Sequence, residues 1–193
     1  MSRKILPPVH RPLLTTTFIT NVAKTYSQKY TELHGKHSFK YLGTFPCNKL
    51  TTTGSKEYQR VALVVNTDTS DGPGIHWVAV FVDNKTKTLE IFDSTGTRVN
   101  DCIFRLLLRS WPRTEYIYTE NKTVHQLGKT ECGMYSLYYI VSRLCGVSSK
   151  ELYTTVIRDD EISKLRRIFQ HFSEWGGADA APRPLPGGAG NGW

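Results

Sequence analysis

Cysteine is scarce in this 193-residue chain, and no two of its four cysteines form a C-x-x-C pair. Cys47, Cys102, Cys132 and Cys145 lie far apart, which argues against a metal site or a disulfide framework and for a reducing compartment. No apolar run approaches the ~20 residues that a membrane-spanning helix needs, so no membrane partner is expected. The opening MSRKILPPVHRPLL is basic but broken by prolines. No apolar segment with a small-residue cleavage site follows it, so no secretory signal is expected. Internal repeats are absent. No basic tract reaches five residues either, yet 25 Lys+Arg against 17 Asp+Glu give a net charge of +8. That charge suits polyanions, nucleic acid first, or simply a solubilising surface.

What is present fits one domain. The hydrophobic fraction is 39% and the mean hydropathy is -0.37, as in soluble globular chains. Residues 1–14 are proline-rich and read as a loose segment. Residues 15–175 carry the periodic patterns of a single domain, and 176–193 are a Gly-, Ala- and Pro-rich tail with little to bury. Phe18, Val22 and Tyr26 recur at i, i+4, i+8 and predict a helix. Residues 35–56 are irregular, with Gly43, Pro46 and Gly54 marking loop. Strands are predicted over 60–66, 75–83 and 89–93. The polar NKTK between the last two makes them an antiparallel hairpin. A helix over 100–109 stops at Trp111-Pro112, and 114–119 alternates like a strand. Met134, Leu137, Tyr138, Val141, Leu144 and Cys145 lie on one stripe of a later helix, with Gly146 as its stop. Ser148 and Glu151 have capping-box spacing, and Ile162, Leu165, Phe169 and Phe172 form a last helix. The expected class is α+β, a mixed central sheet flanked by helices.

Within that frame Cys132 stands at the mouth of the 134–145 helix, where unpaired N–H groups and the helix dipole favour a thiolate. Gly133 removes bulk beside it, so that a substrate carbonyl can approach. A lone cysteine is ordinarily core filling, the reading that Cys145 fits. A nucleophilic cysteine needs a base, and the base needs an orienting group. Of six histidines, His76 alone opens a strongly hydrophobic strand, a costly place for a polar residue without a partner. Asp93 closes the neighbouring strand, and the hairpin brings the two to one edge. Asp83 would lie at the far end. Gln126, six positions before Cys132, can supply an oxyanion donor together with the cysteine's own N–H.

These residues resemble the adenovirus proteinases, the adenain family, and more broadly the clan of SUMO proteases. The order His, acid, Gln, Cys is that clan's. YLGTF at 41–45, ALVVNT at 62–67, GIHWVAVF at 74–81 and KTLEIFDSTG at 87–96 look like adenain segments in the same order. The resemblance spans about residues 38–145. It implies a cysteine endopeptidase of viral or mobile-element type (adenovirus-like or Polinton-type). The catalytic set would be His76, Asp93, Gln126 and Cys132, with the cysteine at the start of a buried helix. The implied substrates are virion precursors cut after aliphatic-x-Gly-Gly, and the implied location is the host nucleus or cytoplasm and the virion.

Trp77, beside His76, becomes a candidate wall of the substrate tunnel, and Gly133 a second candidate substrate-binding position. Leu185-Pro186-Gly187-Gly188 before Ala189 becomes a candidate self-cleavage site at Gly188–Ala189. The chemistry itself needs no cofactor, and DNA or a viral peptide is the implied activator; a monomer is expected. Three features depart from adenain. The acid is Asp93 rather than Glu, no cysteine precedes Gln126 within 113–125 to take up a disulfide-linked peptide, and the segment from Asp93 to Cys132 is short. Two other functions stand beside this one: an isopeptidase that removes SUMO or ubiquitin with the same residues, and an inactive DNA- or capsid-binding module.

Overall fold

A computed structural model describes residues 13–175. Its centre is a five-stranded mixed sheet in the order β1-β2-β3-β4-β5. The strands are β1 (Phe39–Pro46), β2 (Arg60–Asn66), β3 (Trp77–Asp83), β4 (Thr88–Phe92) and β5 (Ile117–Glu120). β1 is parallel to β2 and β4 to β5, whereas the β2–β3 and β3–β4 pairs are antiparallel. Helix α1 (Thr16–His34) precedes the sheet and α2 (Asp101–Ser110) lies between β4 and β5. After β5 come α3 (Cys132–Leu144), α4 (Ser149–Thr154), α5 (Asp159–Lys164) and α6 (Arg166–Trp175). This is the expected α+β arrangement.

Both faces of the sheet are covered, which is why RVALVVN and WVAVFV are apolar almost without break. Ala62, Val64, Ala79 and Phe81 point to the layer built by α1, α3 and α6. Val61, Leu63, Val65, Val78, Val80 and Val82 point to the opposite layer, where Ile103, Leu107 and Trp111 close the core. α3 is buried all round rather than along one stripe: only Arg143 of its 13 residues is not buried. It packs on β3, α1 and α5.

The structure departs from the sequence pattern at several places. β1 lies inside the segment 35–56 read as loop. Its alternation is broken by a register shift between Tyr41 and Gly43, where Gly43 takes φ +148° and a Cβ would meet the Phe45 ring at 2.6 Å. β5 begins at Ile117, because Glu115 and Tyr116 still turn back onto Pro112. The last helix is two, α5 and α6, meeting at Leu165. Leu14, assigned to the loose segment, is buried. The tail, with Gly188 and Ala189, lies outside the described residues. Among the described residues no helix is long and apolar enough to cross a membrane, and no group of three or more His, Cys, Asp or Glu could hold a metal ion.

One buried ion pair ties the central helix to the sheet. Glu90 of β4 accepts from Arg143 Nε at 2.7 Å, from Arg143 Nη2 at 2.9 Å and from the Tyr139 hydroxyl at 3.0 Å. Its side chain is 4% exposed. Removing one member of such a pair leaves an uncompensated buried charge. Arg143→Ala is therefore expected to destabilise the fold by about 3–5 kcal/mol in urea unfolding. A loss below about 1 kcal/mol would show that the pair is not effectively buried.

Candidate active site

The ends of β3 and β4 build the first part of the site. Antiparallel pairing sets Ala79 opposite Phe92, so His76, just before β3, and Asp93, just after β4, share one sheet edge. His76 Nε2 lies 2.7 Å from Asp93 Oδ1, which leaves Nδ1 for a second partner. The same oxygen accepts the Thr95 N–H at 2.8 Å and the Thr95 hydroxyl at 2.7 Å. Asn121 clamps the Asp93 backbone from both sides. Its Oδ1 accepts the Asp93 N–H at 2.8 Å and its Nδ2 donates to the Asp93 carbonyl at 2.7 Å. Asp83, at the other end of β3, pairs with Arg60 at 3.0 Å.

Cys132 is the first residue of α3, and its thiol lies close enough to the His76 ring to help raise the ring's pKa. Burial pulls the His76 pKa down, but the hydrogen bonds to Asp93 and Cys132 and their charges outweigh it and push the value up to about 9. His76 is therefore an imidazolium at neutral pH. An imidazolium over the sulfur and a helix N-terminus beneath it are the surroundings in which cysteine works as a thiolate nucleophile. His125, the histidine nearest to Cys132 in sequence, differs. It packs against Phe92 and Tyr135, and burial holds its pKa below the ordinary value, so it stays neutral. Burial likewise pushes the Cys145 thiol up to about 11, as befits core filling.

Gln126 is buried and held beside the same turn. Ser94 Oγ donates to its Oε1 at 2.7 Å, and the Ser94 carbonyl accepts the N–H groups of His125 and Gln126, each at 2.9 Å. Nε2 gives one hydrogen to the Gly128 carbonyl at 2.8 Å, and a primary amide has a second hydrogen to offer.

A groove of about 470 Å³ reaches Cys132 between Leu13, Leu14, Asn66, Ile75 and Trp77. The Trp77 indole N–H donates to the Leu14 carbonyl at 3.3 Å, fixing the ring as a wall. Gly133 has another position than expected. A Cβ there would meet Leu14 and Ile19 at 3.1 Å, so its bareness lets α3 pack against α1 rather than opening space for a substrate. Asn66, Ser94 and Asn121 escaped the sequence reading. Asn66 Oδ1 accepts the N–H groups of Asp68 and Ile75 and shapes the loop that edges the groove. A signal for it existed: like His76, it is a polar residue at the end of a buried apolar strand.

Comparison with known proteins sets these residues in context. Residues 12–174 match the model of the Ulp1 protease family, C-terminal catalytic domain. The cysteine protease S273R of African swine fever virus is 40% identical over 111 residues, 53% of this chain and 41% of the relative. Its counterpart from another isolate is named SUMO-1 cysteine protease. The chain thus spans about two fifths of the length of these relatives. The crystal structure of the ASFV pS273R protease superposes with a TM-score of 0.63 at 26% identity, covering 80% of this chain and 66% of that one. The SUMO protease Ulp1 shares the fold, with a TM-score of 0.60 at 16% identity over 86% of this chain and 78% of that one. These matches point to the Ulp1 family as a whole, a broader grouping than the adenain branch that the motifs resemble.

The raised pKa of His76 has a measurable sign. Because the folded value exceeds the ordinary 6.5, the stability it contributes is fully present below pH 6.5 and is lost as pH rises through about 9. Titration of the His76 ring by NMR is expected to show a midpoint near 9, falling clearly in Asp93→Ala. An unchanged midpoint in that variant would mean that Asp93 does not set the charge of the ring.

Proposed function

The chain belongs to the Ulp1 protease family, and from that membership we propose that it is a cysteine endopeptidase of viral or mobile-element type that cuts after Gly-Gly. The observation that carries the proposal is one imidazole bonded to Asp93 at 2.7 Å, with its charge favoured by Cys132 at the start of a helix.

The Cys132 sulfur attacks the carbonyl carbon of the scissile peptide, forming a C–S bond. The developing oxyanion takes the Cys132 backbone N–H and the remaining Gln126 Nε2 hydrogen, as in an oxyanion hole made of one main-chain and one side-chain donor. The C–N bond then breaks as the imidazolium of His76 gives its proton to the leaving amine. Water attacks the thioester with neutral His76 as base, and the thiolate leaves as the new acid is released. Asp93 keeps the ring oriented and favours its charged form throughout.

The Trp77 ring, tied to the Leu14 backbone along the groove that reaches Cys132, supports a preference for residues without a bulky side chain beside the scissile bond. Virion precursor proteins with aliphatic-x-Gly-Gly sites are the substrates proposed. The chain's own Leu185-Pro186-Gly187-Gly188, cut before Ala189, is a further one. Removal of SUMO or ubiquitin is a second reading, favoured by the name SUMO-1 cysteine protease borne by a relative.

Cys132→Ala is expected to abolish cleavage of an LxGG peptide with the melting temperature unchanged, and turnover by this variant would refute the assignment. Gln126→Ala should lower kcat by ~10²–10³. Faster cleavage of the peptide than of an intact SUMO or ubiquitin conjugate separates the first reading from the second. Intact mass after incubation should show loss of the five residues after Gly188 from the wild type but not from Cys132→Ala. An uncut wild-type tail beside cleaved LxGG peptide would reject self-processing.

A further inference from the structure

Asp159, the first residue of α5, sends its carboxylate to the turn that follows Gln126. Oδ2 accepts the backbone N–H of Leu127 at 3.1 Å and that of Gly128 at 2.7 Å. Oδ1 lies 3.0 Å from the hydroxyl of Tyr135, one turn along α3 from Cys132. A Cβ on Gly128 would stand 3.2 Å from Oδ2, so the bare glycine lets the carboxylate come this near. Packing does not hold the turn, because the Leu127 side chain is 74% exposed. Two charge-assisted hydrogen bonds do, and such bonds are roughly twice as strong as neutral ones.

The link to the chemistry runs through Gly128, whose carbonyl receives the Gln126 Nε2 hydrogen at 2.8 Å. Two contacts fix the plane of the Gln126 amide, Ser94 Oγ on Oε1 and the Gly128 carbonyl on Nε2. Ser94 sits on a turn locked to Asp93 by the N–H groups of Thr95 and Gly96, whereas Gly128 has Asp159 for its anchor.

We propose that Asp159 is a positioning residue for the oxyanion donor, fixing the Leu127–Gly128 turn and through it the direction of the free Gln126 Nε2 hydrogen. The assignment rests on the endopeptidase reading for its catalytic meaning and on geometry alone for its structural one. Burial, and after it the charge of Asp159, raise the Tyr135 pKa, so its hydroxyl remains a donor to this cluster at any working pH.

The test is a double-mutant cycle on the full chain with an LxGG peptide, combined with NMR of the Gln126 side-chain amide. Asp159→Ala is expected to lower kcat about tenfold with little change in KM, a fraction of the loss that deleting a donor causes. In a Gln126→Ala background the same change should cost less than about twofold, since the two residues act as one unit. The Gln126 Nε2 signals should shift and broaden in Asp159→Ala, and Asp159→Asn, which keeps acceptor oxygen and shape, should recover part of both effects. Equal losses with and without Gln126, or unmoved amide signals, would overturn the proposal. A wild type that cleaves no peptide would defeat the endopeptidase reading instead, and the amide signals would still decide whether Asp159 holds Gln126.

Discussion

A carboxylate oxygen at the end of one strand holds an imidazole at the start of its neighbour, and the remaining structure is arranged around that contact. Asp93 Oδ1 accepts from Thr95 twice as well as facing His76, so it cannot swing away to solvent without breaking a local turn. Asn121 fixes the backbone beneath it. The adjacent Ser94 then reaches in the other direction to Gln126. Two consecutive residues, Asp93 and Ser94, thus hold both the His76 imidazole and the Gln126 amide.

The sulfur comes from a helix that cannot shift without disturbing much else. α3 runs through the core, and its far end is tied to β4 by Arg143 and Glu90. Its near end is fixed by Glu131, buried and paired with Arg166 at 3.2 Å, immediately before Cys132. Gly133 allows close packing on Leu14 and Ile19 at that same end. Burying these two ion pairs puts stability at risk, and it holds both ends of the helix that carries the sulfur.

Much of this was legible in the residues. The register of the β3–β4 hairpin follows from NKTK, and it places His76 and Asp93 together without any knowledge of the fold. Cys132 stood out as a thiol beside glycine at a helix start. The supporting residues were harder to find, because their partners are far away in sequence. Glu90 and Arg143 are 53 positions apart, and Ser94 and Gln126 are 32 apart. Nothing local marks an Asn, a Ser or a Glu as buried when the partner that satisfies it arrives through a distant loop. β1 was missed because a bulge at Gly43 interrupts the alternation on which strand recognition depends. Gly133 was assigned the wrong neighbour for a related reason: its contact is with a segment more than a hundred residues earlier.

The proposed chemistry requires that His76 make Cys132 nucleophilic, and covalent labelling tests that most directly. A Gly-Gly peptide ending in a vinyl methyl ester, to which a thiolate adds irreversibly with formation of a thioether C–S bond, should modify Cys132 alone. Replacing His76 by Ala should suppress the adduct, while Cys47, Cys102 and Cys145 stay unmodified in both proteins. Labelling that favours the exposed Cys102, or that proceeds equally well without His76, would contradict it.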